Sequence, residues 1–138
     1  MSFLKRWKSN HRPRYIKLGN AGYNVAKEVL VYDLEPIEKF WIFCLDIKCR
    51  IIGIHLISIG SLNAAIVHPR EVFKAAILNN AASIILLHNH PSGDTKPSKE
   101  DISLTKRLSD VGKMLQIEVV DHVVLGNNYC SMKTINVF

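Results

Sequence analysis

The chain has 138 residues, of which 48% are hydrophobic and 22% are charged, and these proportions are typical of a soluble globular protein. Its length suits one domain that buries a core without disulfide bonds, and its three cysteines form no CxxC pair, which argues against a disulfide scaffold and a cysteine-based zinc site. The formal net charge of +6 comes from one short segment, since residues 18–138 carry twelve basic and twelve acidic side chains.

Residues 1–17 form a predicted basic arm ahead of a domain predicted for residues 18–138. Such an arm could contact nucleic acid or another anionic partner, although a solvated terminus that aids solubility is the more common case. It lacks the apolar core of a signal peptide, and no apolar run in the chain is long enough to span a bilayer, so we expect a cytoplasmic protein. The basic residues of the arm are Lys5, Arg6, Lys8, Arg12, Arg14 and Lys17.

A helix and a hairpin are the first elements predicted after the arm. Apolar residues recur at helical spacing across residues 20–34, and Pro36 ends this pattern. β-Branched and aromatic residues dominate segments 40–45 and 50–59, and the short DIKC segment between them predicts a β-hairpin. Residues 62–67 follow as a further short strand.

Helices and strands alternate in the second half of the chain, and this pattern favours an α/β domain with a mixed sheet flanked by helices. The run SIILL is apolar throughout, as expected for a central strand that is covered on both faces. The predicted elements are a helix from His68 to about Asn80, a strand at 83–87, a helix from Ser98, a strand at 117–125 and a short strand at 129–132.

Polar residues crowd the segment LLHNHPSGDTKPSKED, which spans residues 86–101. Side chains two positions apart in an extended chain lie on the same face, so His88 and His90 should aim at one point beyond the sheet, while Asn89 points away and can bond to backbone. Strand ends are where open α/β sheets commonly place their sites. Two imidazoles are part of the ligand set of a catalytic zinc site, which has three protein ligands and one water.

A carboxylate returned by the following turn could supply the third ligand. The candidates are Asp101, in the first turn of the next helix, and Asp94, at the tip of the turn. A structural interpretation is also open, because Ser98 and Asp101 match a helix capping box, and His88 and His90 could be hydrogen-bonded histidines at a strand end. Spacing alone leaves these alternatives open.

Two other enzyme classes, the HNH nucleases and the zinc deaminases, do not fit the residues of this segment. The consecutive letters His88-Asn89-His90 do not identify an HNH nuclease, whose residues are dispersed over a ββα module. Zinc deaminases require H-x-E followed later by P-C-x-x-C. In this chain a second histidine stands two positions after His88, and no cysteine lies nearby, so deaminase chemistry is excluded.

The motif His88-x-His90-Pro91, followed after ten residues by Asp101 within Ser98-x-x-Asp101, resembles the JAMM (MPN+) metalloprotease motif. The longer segment HNHPSGDTKPSKED, preceded by HPREVFKAAILNNAASIILL and followed by IEVVDHVVLG, resembles the JAB domain of RadC-type bacterial proteins. The similarity covers about residues 35–135 and implies a single JAB/MPN-type α/β domain with a mixed, curved sheet.

This resemblance implies a zinc site and a role for each residue of the motif. His88, His90 and Asp101 are the implied Zn²⁺ ligands. Glu38, just before strand 40–45, is the implied general acid/base, and Ser98 is the implied hydrogen-bond donor to the developing oxyanion.

Several residues near the motif have competing interpretations. Glu35 is close enough to rival Glu38, although position relative to the strand favours Glu38. Asp121-His122 also looks like the RadC-type pattern, and a structural hydrogen bond or a bond to a ligand is the favoured interpretation of His122. His55 and His68 are predicted to be structural.

The implied function is a zinc-dependent metallopeptidase or isopeptidase that hydrolyses an amide bond of an unidentified peptide or protein through a zinc-activated water. One alternative is a DNA-associated accessory protein of DNA repair or mobile-element biology with a structural or nucleolytic metal site. RadC-type proteins generally carry a helix-hairpin-helix region ahead of the JAB domain, for which the first 20–30 residues leave no room. DNA association that depends on that region would not transfer to this chain, and the basic arm could either substitute for it or have no such role. A non-catalytic interaction module is the third possibility.

Overall fold

A computed structural model of the chain describes residues 20–30, 32, 36–61 and 67–138. The predicted basic arm, Glu35 and most of the short strand predicted for residues 62–67 lie outside these described residues. The elements in chain order are α1 (Asn20–Val29), β1 (Lys39–Leu45), β2 (Ile51–Ile59), α2 (Pro69–Leu78), β3 (Ser83–Asn89), α3 (Lys99–Leu115), β4 (Glu118–Leu125) and β5 (Tyr129–Ser131).

One five-stranded sheet organises these elements, with the strand order β2-β1-β3-β4-β5. β1 pairs antiparallel with β2, which confirms the predicted hairpin, and β1 also pairs antiparallel with β3. The pair formed by β3 and β4 is parallel, and β5 returns antiparallel beside β4. The fold is therefore the predicted α/β domain with a mixed sheet, flanked by three helices.

The helix predicted for residues 20–34 is shorter than its apolar pattern, because α1 ends at Val29 and Leu30 already lies in a turn. β3 is longer than the apolar run that predicted it and extends through His88 to Asn89. The other boundaries lie within one or two residues of the predictions. None of the described helices has the length and apolar character needed to cross a membrane.

The sheet is covered on both faces, so β1 and β3 are buried along almost their whole length. α1 packs on one face, where Val25 and Ala26 contact a cluster that includes Trp41 and Leu87. α2 and α3 pack together on the opposite face. The side chains that form the core on this second face include Phe40, Ile42, Val72, Phe73, Ile84, Leu86, Leu104 and Leu108.

Gly112 lets the end of α3 approach β4 closely. A Cβ atom at this position would lie 2.5 Å from the carbonyl oxygen of Ile117, whose amide in turn donates to the Gly112 carbonyl at 2.9 Å. Since the obstructing atom belongs to backbone, the helix end or the start of β4 would have to move.

We expect Gly112→Ala to lower the free energy of unfolding by about 2 kcal/mol, because overpacking against backbone outweighs the helix propensity that alanine adds. Urea denaturation followed by circular dichroism measures this change. Lys106→Ala is the control, since Lys106 is exposed on the same helix, and its effect should stay within about 0.5 kcal/mol. Equal stability of Gly112→Ala and the wild-type protein would contradict the close packing described above.

Candidate metal centre

The end of β3 places the two predicted histidine ligands side by side. His88 is the sixth residue of the strand, is opposite Phe40 of β1 and is buried, whereas His90 follows the strand and is partly exposed. The amide of His90 donates to the Leu125 carbonyl at 2.8 Å, which extends the contact with β4. The Nε2 atoms of His88 and His90 lie 2.9 Å apart, so both imidazoles face the same point.

A turn after His90 reverses the chain toward α3 and orients the His90 ring. The Gly93 amide donates to the His90 carbonyl at 2.9 Å, and Gly93 has a positive φ of 86° that glycine adopts without strain. His90 Nδ1 lies 2.7 Å from the carbonyl oxygen of Asp94. Because a carbonyl only accepts, Nδ1 carries the hydrogen and the Nε2 lone pair of neutral His90 faces the cluster.

Asp101 belongs to a helix cap and to the histidine cluster at the same time. Ser98 is the N-cap of α3, where its Oγ accepts the Asp101 amide at 3.1 Å and its own amide donates to Asp101 Oδ2 at 2.8 Å. Oδ2 also lies 3.1 Å from His90 Nε2, and Oδ1 lies 3.1 Å from His88 Nε2. The structural and the metal-binding interpretations of Ser98 and Asp101 are therefore compatible.

Hydrogen bonds and burial shift the pKa values of these groups. Burial alone would raise the pKa of Asp101, but its contacts with the imidazoles of His88 and His90, which donate to the carboxylate when they are protonated, hold this pKa well below its ordinary value. The hydrogen bond to Asp101 raises the pKa of His90, and the charge of Glu38 adds a smaller effect in the same direction. Burial lowers the pKa of His122 far below its ordinary value and thereby favours the neutral ring.

The donor set formed by these side chains fits a metal ion. One ligand atom from each of His88, His90 and Asp101 lies within 4.8 Å of the others, and no second group of this kind occurs among the described residues. Two imidazole nitrogens and one carboxylate are a ligand set of catalytic zinc sites, and such N/O sets also bind other divalent ions. The cluster could therefore hold a metal ion.

Asp94, the other carboxylate considered as a ligand, has a different position. It is exposed in the turn, and its Oδ1 accepts the amide of Lys96 at 3.0 Å. Its backbone carbonyl, and not its side chain, contacts His90. The fold thus brings Asp101 to the histidines and leaves Asp94 as a turn residue.

A cleft of about 240 Å³ opens beside the cluster and brings the remaining predicted site residues together. Ser98 and Glu38 both line it, whereas Glu35 lies outside the described residues. The full lining comprises Glu38, Ser61, His90, Pro91, Ser92, Ser98, Glu100 and Asp101.

Asn89 holds the backbone on both sides of Glu38. Its Oδ1 accepts the amide of Lys39 at 2.7 Å, and its Nδ2 donates to the carbonyl of Ile37 at 3.1 Å. The carbonyl of Glu38 itself accepts the amide of Gly60 at 2.7 Å. The expectation that Asn89 points away from the histidines and bonds to backbone is confirmed, and these three bonds determine where Glu38 enters the cleft.

The other histidines differ in their relation to the cluster. His122 Nε2 lies 2.8 Å from His88 Nδ1, on the side of the ring that faces away from Asp101, so His122 contacts a candidate ligand without being one. His55 bonds to Asn79 at 2.7 Å, and His68 is the N-cap of α2, which agrees with their structural interpretation.

Thr105 is a further residue near the cluster that the sequence did not indicate, and its Oγ1 lies 2.5 Å from His122 Nδ1. Thr105 stands beside Leu104 on the buried face of α3, and a threonine on such a face gives no sign of a polar partner. Its position four residues after Asp101, one helical turn away, was the available signal.

A mixed sheet whose central strand ends in two histidines, which face a carboxylate at the start of the next helix, defines a JAB/MPN-type domain with a candidate metal centre. The family model of the RadC-like JAB domain matches residues 20–137. The chain therefore belongs to the RadC-like JAB domain family, and the resemblance found in the sequence is confirmed.

Curated relatives support this assignment. A UPF0758 protein of Methanosarcina barkeri is 54% identical over 97 residues, which cover 70% of this chain and 42% of that protein. A UPF0758 protein of Desulfitobacterium hafniense is 58% identical over 97 residues, which cover 70% of this chain and 43% of that protein. A UPF0758 protein of Caldanaerobacter subterraneus is 60% identical over 90 residues, which cover 65% of this chain and 39% of that protein. The chain thus spans about two fifths of the length of these relatives.

We expect the purified protein to contain about one divalent ion per chain and His88→Ala and Asp101→Ala to lose it, because each variant removes one of the three candidate protein ligands. Elemental analysis by mass spectrometry measures the metal content. Asp94→Ala is the matched control, since it removes a carboxylate from the same loop that lies outside the cluster, and it should retain the ion. Wild-type metal content in both ligand variants would show that the cluster is not the site.

Proposed function

We propose that this chain is a zinc-dependent metallopeptidase or isopeptidase that hydrolyses an amide bond. The observation that carries the proposal is the convergence of two imidazole nitrogens and a carboxylate at a cleft that Glu38 and Ser98 also line. A metal site that served structure alone would have no need of an adjacent cleft with a second carboxylate and a hydroxyl. The arrangement instead matches the parts of a hydrolytic centre.

In this proposal His88, His90 and Asp101 hold the zinc ion. A bound zinc ion supplies Lewis acidity, which lowers the pKa of a water molecule toward neutrality and polarises the scissile carbonyl. The low pKa of Asp101 keeps its carboxylate ionised at every physiological pH, so this ligand needs no deprotonation before it binds a cation.

Glu38 acts as general base and then as general acid. Its carboxylate accepts a proton from the attacking water while the carbon–oxygen bond forms, and it donates this proton to the nitrogen as the carbon–nitrogen bond breaks. The product is one carboxylate and one amine. The bonds from Asn89 to the backbone on either side of Glu38 support this role, because proton transfer depends on a well-defined carboxylate position.

Ser98 stabilises the oxyanion that develops on the substrate carbonyl. Its Oγ already accepts the amide of Asp101, which orients the hydroxyl and leaves its hydrogen for donation into the cleft. Donors held in place before the reaction stabilise developing charge without reorganisation. Since the N-cap position sets the backbone of Ser98, the helix cap supports this role.

The charge of the cleft favours an amide over a phosphodiester as the substrate. Glu38, Glu100 and Asp101 line the cleft, and none of its described lining residues is lysine or arginine. Enzymes that act on phosphates usually place cationic side chains around the reacting group, whereas a neutral amide brings no charge that these carboxylates would repel.

We expect Glu38→Gln to lower the turnover of amide hydrolysis by a factor of about 10² to 10⁴ and to leave the metal content unchanged, because the substitution removes a proton acceptor and keeps the side-chain shape. Hydrolysis of a mixed library of peptides and lysine-linked isopeptides, followed by mass spectrometry, measures turnover. Glu35→Gln is the control and should retain activity. Full activity of Glu38→Gln, or an equal loss in Glu35→Gln, would remove Glu38 from the mechanism.

The alternative of a DNA-associated accessory protein rests on the six positive charges of residues 1–17. We expect any affinity for duplex DNA to fall steeply with salt and to disappear when residues 1–17 are deleted, because residues 18–138 carry no net charge. Fluorescence anisotropy with a labelled duplex measures the affinity. DNA binding that persists after the deletion would assign the nucleic-acid contact to the domain itself.

A further inference from the structure

A buried series of hydrogen bonds leads from the candidate ligand His88 into α3. His88 Nδ1 lies 2.8 Å from His122 Nε2, and His122 Nδ1 lies 2.5 Å from Thr105 Oγ1. Thr105 Oγ1 lies 2.6 Å from the backbone carbonyl oxygen of Asp101. Thr105 and His122 are completely buried and His88 is 1% exposed, so these groups depend on one another for hydrogen bonds.

The carbonyl of Asp101 determines the direction of every bond in this series. A carbonyl oxygen has no hydrogen, so the Thr105 hydroxyl must donate to it. That hydroxyl has one hydrogen. Among the residues that the structure describes, its remaining close contact besides His122 is the sulfur of Met132 at 3.7 Å, which is also an acceptor. The contact between Thr105 and His122 therefore takes its hydrogen from His122 Nδ1.

The hydrogen on His122 Nδ1 also determines which ring nitrogen of His88 bears a hydrogen. His122 is completely buried, and its two ring nitrogens contact a hydroxyl and another imidazole but no carboxylate of the described residues, so no anionic partner offsets the cost of a buried imidazolium. The neutral ring has one N–H group, and because this group lies at Nδ1, its Nε2 is an acceptor. The contact at 2.8 Å between the two histidines then requires a hydrogen on His88 Nδ1. The neutral His88 ring then has no hydrogen at Nε2, so its lone pair faces two further acceptors, His90 Nε2 and Asp101 Oδ1. A shared cation satisfies three such acceptors.

We propose that Thr105 and His122 are positioning residues that hold His88 in the Nδ1–H tautomer, so that its Nε2 lone pair is directed at the metal ion. This inference deepens the proposed function and rests on its metal site. Metal-ligating histidines commonly donate a hydrogen bond from their second ring N–H group to a carbonyl or carboxylate. Here the corresponding carbonyl belongs to Asp101, and His122 and Thr105 bridge the distance to it.

This arrangement ties the two candidate histidine ligands to backbone carbonyls of residues 94 and 101, on either side of the start of α3. The Asp94 carbonyl holds His90 directly, whereas the Asp101 carbonyl holds His88 through two buried side chains. Phe40 packs against the rings of His88 and His122, with centroid distances of 6.4 and 5.6 Å, and limits their rotation. The tautomer and the ring orientation of His88 are thus determined before a metal ion binds.

The tautomer can be measured directly in the zinc-free protein, prepared with a chelator, at mildly alkaline pH. Long-range ¹H–¹⁵N correlation spectra distinguish a ring nitrogen that bears hydrogen from one that does not, and the His88 signals are those missing from His88→Asn. We expect His88 to show a protonated Nδ1 and a bare Nε2. A dominant Nε2–H tautomer at His88 in the wild-type protein would overturn the inference without any substitution.

Substitutions of Thr105 test the consequence for the metal. Thr105→Val keeps the shape and removes the hydroxyl, so we expect zinc affinity, measured by competition with a chromophoric chelator, to fall by about 10- to 100-fold. Thr105→Ser should restore most of it. Ser109→Ala is the matched control, because Ser109 is buried one turn further along α3, and it should bind zinc with wild-type affinity.

The zinc-binding measurements distinguish failure of this inference from failure of the proposed function. A wild-type protein that binds no zinc would overturn both the metal site and the positioning role of Thr105 and His122. Wild-type zinc affinity in Thr105→Val, or equal losses in Thr105→Val and Thr105→Ser, would overturn the positioning role of Thr105 and His122 but would not contradict the metal site. A loss in Ser109→Ala as large as that in Thr105→Val would show a general effect of the helix and would also overturn the inference.

Discussion

The carboxylate of Asp101 is the group on which the candidate site depends. It accepts the Ser98 amide as part of the cap of α3 and lies 3.1 Å from each of the two histidine Nε2 atoms. An ionised carboxylate is costly to bury without such partners. The Ser98 amide supplies one such partner, and the imidazoles supply others when they are protonated or share a cation with the carboxylate, so the start of α3 and the end of β3 hold each other in position. The geometry of the site is therefore inseparable from the helix cap.

The sheet makes this junction rigid. β3 lies between β1 and β4, so the backbone that carries His88 is hydrogen-bonded on both sides. Asn89, the neighbour that points the other way, bonds to the backbone around Glu38. One short segment of β3 thus carries the candidate ligand His88 and positions the backbone around Glu38. Through His122, the same segment also contacts Thr105 on the buried face of α3. Functional geometry of this kind is more precise on strands than on loops.

Membership of the RadC-like JAB domain family gives the cluster a context, but the chain spans about two fifths of the length of its curated relatives. The residues of the candidate site lie close together within this part. The carboxylates that line the cleft and the basic residues of the arm belong to separate parts of the sequence. Amide hydrolysis at the cleft and nucleic-acid contact by the arm are thus independent proposals, and the first does not require the second.

The sequence by itself determined the order of the elements and the convergence of His88 and His90, because both follow from local periodicity: side chains two apart in a strand share a face. It also identified the family, since the motif is long. Spacing left Asp94 and Asp101 as alternatives and the family resemblance implied Asp101, whereas the tertiary structure shows that Asp101 meets the histidines. Only the tertiary structure decided that this one carboxylate serves both as cap and as candidate ligand. The contact between Thr105 and His122 joins positions 17 residues apart, and it arises from the way α3 packs on β4. Local patterns carry no information about such packing, because it depends on the shapes of two surfaces that meet only in the folded chain.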